Sequence, residues 1–188
     1  MGDDGALRRG FWLDALGPDY IAAAFRFAHE ADPDALLFYN DFSIEEPGPK
    51  ADGAFALVKS LVEEGVPIDG VGFQAHGVPG FPSSDDLAIQ MERYVDLGLE
   101  VAVTELDVRV TVPPSARSLS VQADTYTATL DACLRTPACR SFTVWGFTDM
   151  QSWVPKSFPG QGAATLFDEQ LQPKPAYVAL EARLRAGR

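Results

Sequence analysis

The sequence predicts an α/β fold in which strand and helix alternate: about four βα units preceded by a helix, equal to half of a (β/α)8 TIM barrel. Three observations carry this. Short apolar runs end in polar or aromatic residues near positions 40, 74, 105 and 145, and a stretch with helical periodicity lies between each pair. The intervals of about 30 to 40 residues are those of βαβ units. Right-handed crossovers would make the four strands parallel and gather their carboxyl ends on one face. A complete barrel takes about 250 residues, so four units are half of one. An open four-stranded sheet is the alternative, and tips that end in polar or aromatic side chains favour the barrel.

In chain order, residues 1–9 are polar and expected to fray. A helical pattern begins at Phe11, with Gly17-Pro18 as a start signal, an apolar stripe of Ile21, Ala24, Phe25 and Ala28, and Asp32-Pro33 as its close. Ala35 to Tyr39 predicts a buried strand tipped by Asn40-Asp41. Beyond a Pro/Gly loop, Phe55, Val58, Leu61 and Val62 share one helical face, and Gly65 supplies the stop. Ile68 to Phe73 is the next strand, tipped by Gln74, Ala75 and His76. Ser83 and Asp86 then form a capping-box-like start for a helix that turns Leu87, Met91, Tyr94 and Val95 inward and ends at Gly98.

Val101 to Asp107 is the run that organises the rest. Its uninterrupted apolar start suits a strand buried on both faces, with the acids arriving where the strand should run out, so Glu105 is placed at a strand's carboxyl end. Such ends are where α/β folds do their chemistry. An isolated Glu in that place is more often a solvated loop residue, so its neighbours must decide. A loop with Pro113-Pro114 precedes a helix from about Leu119 to Arg135. Phe142 to Trp145 is the last strand, a long aromatic loop runs from Gly146 to Gln172, and a helix over 174–184 buries Tyr177, Leu180 and Leu184.

Composition narrows the function. The chain has 188 residues, 46% hydrophobic, enough for one packed core. It carries no apolar run long enough to span a bilayer, and its first residues lack the pattern of a secretory signal, so no membrane partner is expected. A net charge of -12 would repel a polyphosphate and argues against nucleic acid. No Gly-rich phosphate loop is present, which points away from nucleotides. Cys133 and Cys139 stand six apart around Pro137; they suit a small disulfide loop or two inert thiols, and lack the further ligands of a zinc site.

On the shared face, Asn40, Gln74, His76, Glu105, Asp107, Trp145 and Trp153 would converge. Indole faces stack on the apolar face of a sugar ring while amides and imidazole bond its hydroxyls, so a sugar suits this set. Core packing is the competing reading for Trp145, at the end of a strand, and a weaker one for Trp153, in a loop of Ser, Gly and Pro. Glu105 and Asp107, two apart on one strand, share a face at about 6.6 Å. Stacked that way they cannot flank a glycosidic bond from opposite sides, as hydrolysis requires. Asp107 is better placed to orient His76. A metal-dependent lyase or isomerase using Glu105, Asp107, Asp41 and Asp149 has the residue types but leaves the Trp/Gln/His set unused.

Asn-Asp-Phe at 40–42, Gly-Phe-Gln-Ala-His at 72–76, Thr-Glu-Leu-Asp at 104–107, Thr-Val-Trp-Gly-Phe-Thr-Asp at 143–149, Ser152-Trp153 and Pro173-Lys174-Pro175-Ala176-Tyr177 together resemble glycoside hydrolase family 10, the retaining endo-1,4-β-xylanases on a (β/α)8 barrel. The motifs agree in order and spacing across nearly the whole chain, from the Leu16–Ile21 segment onward. The resemblance implies that residues 1–188 are strands 5 to 8 of that catalytic domain with their helices. It makes Glu105 the nucleophile that forms a glycosyl-enzyme intermediate, with His76 and Asp107 keeping it ionised and aimed. Asn40 and Gln74 would bond the sugars beside the scissile bond, and Trp145 and Trp153 would pack around the −1 sugar. Xylan and xylo-oligosaccharides are the implied partners, and neither cofactor nor metal is implied. Cys133–Cys139 matches a disulfide of many family members, which implies a secreted, extracellular protein.

Two departures qualify the resemblance. Phe42-Ser43 stands where the family usually has Tyr-Asn, which puts the aglycone-side preference in question. The first four strands, and with them the Trp-x-x-x-Asn-Glu motif whose Glu is the general acid/base, lie outside this chain. Low activity in isolation is therefore expected, the missing half-barrel is a candidate partner, and a non-catalytic xylan-binding or inactive fragment is the alternative.

Overall fold

The computed structural model describes residues 1–186. Its frame is four parallel strands in the order β1 (Phe38–Asp41), β2 (Gly70–Phe73), β4 (Glu100–Val108) and β6 (Cys139–Val144). A two-residue strand, β3 (His76–Gly77), continues the β2 side upward and pairs with Asp107 and Val108 at the end of β4. Helices α3 (Pro49–Glu63), α4 (Ser84–Val95) and α5 (Ala116–Arg135) follow β1, β3 and β4. The last helix, α7 (Pro175–Ala186), packs on α5. The predicted alternation and parallel pairing are therefore present, with the strand ends on one face.

The core lies between the sheet and these helices. Val71, Phe73, Val101 and Val103 face the helices fully buried, and Val58, Leu87, Met91 and Tyr94 meet them from α3 and α4. Tyr94 stands edge-on to Phe73 and Phe55 at 5.8 and 5.6 Å between ring centres, pairings worth about 0.5–1.5 kcal/mol each beyond their burial. α4 starts as the sequence indicates: the Ser83 hydroxyl oxygen accepts from the Asp86 amide at 3.1 Å, and the hydroxyl donates to the Asp86 carboxylate at 2.6 Å.

Several boundaries differ from expectation. The opening helical pattern is two helices, α1 (Phe11–Leu16) and α2 (Tyr20–Ala31), because Gly17 adopts a φ of 74° and breaks the chain before Pro18. On α2 only Ala22 is buried, while Phe27, like Trp12 and Leu16 of α1, stands exposed. β1 starts at Phe38 rather than Ala35, where pairing with Gly70 begins and after an exposed Leu36. The first nine residues, for which fraying is the expectation, carry contacts: the Met1 amine donates to Asp41 at 2.7 Å, Gly2 and Ala6 close a turn, and the Gly5 backbone lies against Gly53 of α3.

β4 does not stop at the acids. Leu106 and Val108 alternate with Glu105 and Asp107 and are fully buried, so the apolar face of the strand continues and β3 pairs with it there. Glu105 thus sits inside an extended strand rather than at its carboxyl end. The long loop over 146–172 is partly ordered by a short 3-10 turn at Asp149–Gln151, the helix α6 (Val154–Ser157), and the strand β7 (Gln161–Gly162), which pairs antiparallel with β5 (Val110–Thr111). Of the three residues expected to be buried by the last helix, only Leu180 is. Tyr177 and Leu184 instead line an open groove of about 580 Å³ with Phe142, Val144 and Leu166, because no further strand pairs with the outer side of β6 among the described residues.

Candidate active site

Parallel pairing in register brings the strand tips together. Asn40, next to last in β1, stands opposite Gly72 of β2, and Gly72 stands opposite Ala102 of β4, two residues before Thr104. A methyl at position 72 would lie 2.5 Å from the Asn40 amide oxygen and 2.8 Å from the Thr104 methyl. The glycine therefore leaves the space in which these two side chains meet. The Thr104 hydroxyl donates to Asn40 Oδ1 at 2.7 Å, which turns the amide so that Nδ2 donates to Glu105 Oε1 at 2.8 Å. The second Glu105 oxygen faces His76 Nε2 at 3.2 Å. Both carboxylate oxygens are thus held, one by an amide and one by an imidazole.

His76 is in turn fixed from behind. Its Nδ1 lies 3.1 Å from Asp107 Oδ1, and the Trp153 indole N–H donates to Asp107 Oδ2 at 2.6 Å. With a carboxylate oxygen at each ring nitrogen, only the doubly protonated imidazolium makes both contacts as a donor. Burial alone would lower the pKa of His76; the hydrogen bond and charge of Asp107, joined by the charge of Glu105, outweigh it and leave the pKa raised. Asp107 is almost fully buried, His76 and Glu105 largely so.

The aromatic residues frame the opening. Trp153 stands edge-on to His76 with ring centres 5.0 Å apart, and Trp145 does so at 6.3 Å. Trp145 is 47% exposed and so lies outside the core of the described residues. Gln74 is placed by its backbone: its amide donates to the Asp41 carbonyl at 3.0 Å and its carbonyl accepts from Glu105 N at 3.1 Å. The other acids considered for a metal are engaged elsewhere, Asp41 with Lys50 at 3.2 Å and Asp149 with Lys174 at 3.0 Å. Among the described residues the four acids do not form one ligand cluster. Cys133 and Cys139 form a disulfide that joins the end of α5 to the start of β6.

The structure therefore brings together Asn40, His76, Glu105, Asp107, Trp145 and Trp153, with Gln74 tied in through its main chain. Thr104 and Gly72 were not singled out as functional by sequence reasoning, although both lie inside quoted motifs. A glycine within a strand is the available signal for close approach, and it applies to Gly72. Nothing local marks Thr104 as the group that sets the Asn40 amide.

The fold and site define a half (β/α)8 barrel whose strand ends present a doubly held carboxylate beneath tryptophans. Residues 1–183 match the family model described as glycosyl hydrolase family 10. The chain belongs to that family. It is 47% identical over 188 residues to endo-1,4-beta-xylanase 5 of Pyricularia oryzae, covering 99% of this chain and 46% of that protein. It is 42% identical over 181 residues to endo-1,4-beta-xylanase B of Thermotoga neapolitana, covering 96% and 52%. Superposition on the crystal structure of native xylanase 10B from Thermotoga maritima gives a TM-score of 0.96 at 44% identity, covering all of this chain and 58% of that one. A further match, xylanase 10B from Thermotoga petrophila, is a complex with xylobiose. The chain thus spans about half the length of the relatives it matches.

Proposed function

We propose that this chain is the nucleophile-bearing half of a retaining endo-1,4-β-xylanase acting on xylan and xylo-oligosaccharides. The observation that carries the reading is the fixing of both Glu105 oxygens, by Asn40 and His76. A carboxylate held by two donors has its attack direction set before the sugar arrives, which is what a nucleophile in a two-step displacement needs. In that step a Glu105 oxygen bonds to the anomeric carbon while the aglycone oxygen leaves with a proton from a second carboxyl group about 5–5.5 Å away across the sugar. The same group then deprotonates water, which releases the sugar from Glu105. That acid/base group would come from the half of the barrel that this chain does not span, so the isolated chain should turn over substrate slowly if at all.

His76 and Asp107 act through Glu105, and Asp107 balances the charge that keeps His76 a double donor. The exposed face of Trp145 would stack on the −1 sugar, and Trp153 would close that subsite while holding Asp107. The amides of Asn40 and Gln74 would bond sugar hydroxyls. The Cys133–Cys139 disulfide supports an oxidising, extracellular setting.

The test joins this chain to the N-terminal half-barrel of a family member and offers an activated 2-deoxy-2-fluoro-xylobioside, which traps the covalent intermediate. Peptide mass spectrometry should find the sugar on Glu105, and Glu105→Ala should abolish both labelling and release from an aryl xylobioside. Label on another residue, or full turnover by Glu105→Ala, would overturn the assignment. A binding role without chemistry is the second reading, favoured by the exposed Trp145 indole, which could hold a sugar whether or not Glu105 reacts. Its mark is xylo-oligosaccharide binding by calorimetry with no reducing sugar released from the joined protein.

A further inference from the structure

Beneath the site lies a carboxyl group that none of these contacts uses. Glu45, in the loop between β1 and α3, is fully buried. Its Oε1 accepts a hydrogen bond from the Ala75 amide at 2.7 Å, and its Oε2 is buried with no partner among the described residues. Ala75 is itself fully buried and has a φ of 60°, the left-handed region that L-residues avoid. Burial pushes the Glu45 carboxyl up, opposed in part by the Ala75 amide.

The position of this kink matters. Below it, β2 and β4 run in plain register with Phe73 opposite Val103; above it, His76 stands opposite Asp107. The register shifts by one residue across Ala75. In paired strands a one-residue shift changes which side chains share a face. Here it sets the His76 ring level with both Glu105 and Asp107, so that each ring nitrogen finds a carboxylate. The extra residue is on β4, which has three residues between Val103 and Asp107 where the facing chain has two between Phe73 and His76. The left-handed Ala75, opposite this bulge, is tied down from the loop after β1 by Glu45.

We propose that Glu45 is a positioning residue: by accepting the Ala75 N–H it holds the left-handed kink by which the chain follows the β4 bulge from β2 into β3, and so places His76 between Glu105 and Asp107. The proposal deepens the reading of this site as a nucleophile with its orienting groups. It is tested without any sugar, so the two can fail separately.

The readout is the pH titration of the His76 imidazole by heteronuclear NMR in the full 188-residue chain, where His29 on α2 gives the second signal. The charged groups that face His76 are Glu105 and Asp107 from β4, with Glu45 below. In the parent chain the His76 midpoint should lie above that of a blocked histidine peptide. Glu45→Ala should move it at least halfway back to the peptide value, whereas Glu45→Gln, which keeps an oxygen for the Ala75 amide, should leave it near the parent. Ala75→Gly, which adopts the left-handed region freely, should restore the midpoint when added to Glu45→Ala. A folded Glu45→Ala chain with an unchanged His76 midpoint would overturn the proposal, even if its thermal stability fell. Should Glu45→Ala not fold, the double variant decides: a folded chain with the parent midpoint supports the proposal, and an unfolded one defeats it.

Discussion

Asn40 shows how little slack the site has. Its amide receives from Thr104 and gives to Glu105, and both bonds depend on the missing side chain at position 72. Gly72→Ala should push the amide off Glu105 with little change in the β2–β4 ladder. In the joined barrel this should lower kcat about 10- to 100-fold, on the order of 1–3 kcal/mol of lost orientation, with KM changed less. Steady-state kinetics on an aryl xylobioside check it, and unchanged kcat would mean that Asn40 does not aim Glu105. His76 yields a second prediction. Because its folded pKa is raised, its contribution to stability is fully present below the unfolded value, near 6.5, and is lost as pH rises through the folded value. The destabilisation caused by His76→Ala should therefore be larger at pH 6 than at pH 9 in urea melts; the same loss at both would place the effect in packing. The candidate site residues Asn40, Gln74, His76, Glu105 and Asp107 were legible because each stands in a distinctive string that follows a short apolar run. Thr104 and Glu45 were not, since their importance comes from partners 64 and 30 residues away.

At the scale of elements, strand and helix order was legible from periodicity, and the boundaries were less so. The acids of Thr-Glu-Leu-Asp look like a strand end in sequence, yet Leu106 and Val108 keep the apolar face going and β3 supplies a pairing partner brought from 31 residues away. The loop over 146–172 shows the same limit, because its order comes from distant partners, β5 among them, and from a buried ion pair. Lys174, just before α7, donates to both oxygens of Asp149 and to the Ala163 carbonyl, while Asp149 also accepts from Thr165. This pair anchors the segment that carries Trp153. Lys174→Met would leave Asp149 buried and without its cation, a change that typically costs about 3–5 kcal/mol, or roughly 10 °C in Tm for a chain of this size. A calorimetric scan checks it, and a loss under about 1 kcal/mol would show that water replaces the lysine. The disulfide closes a shorter connection, and the small loop between Cys133 and Cys139 corresponds to about 2 kcal/mol of stability in the chain-entropy account. Reduction should lower Tm accordingly, with no change at the carboxylate.

For the whole molecule, the unusual feature is what lies open. Among the described residues β1 pairs only with β2, and β6 only with β4, so each end of the sheet has an unpaired edge. Apolar surface accompanies both edges: Trp12, Leu16 and Phe27 bound a hollow of about 330 Å³ near one end, and Phe142, Val144 and Leu184 line the larger groove at the other. Paired edges and covered grooves are what a closed eight-stranded barrel would provide. The net charge of -12 opposes contact between two copies of this chain, and that repulsion weakens as salt shortens its range to about 8 Å near 0.15 M. The isolated chain should therefore bind a hydrophobic dye such as anilinonaphthalene sulfonate and self-associate more as salt rises. Adding a separately produced N-terminal half-barrel from a family member should displace the dye, yield a one-to-one complex by light scattering, and restore cleavage of an aryl xylobioside that Glu105→Ala then removes. A monodisperse monomer that ignores both dye and salt would mean that this half-barrel tolerates its open edges alone, and the binding-only reading would then become the stronger one.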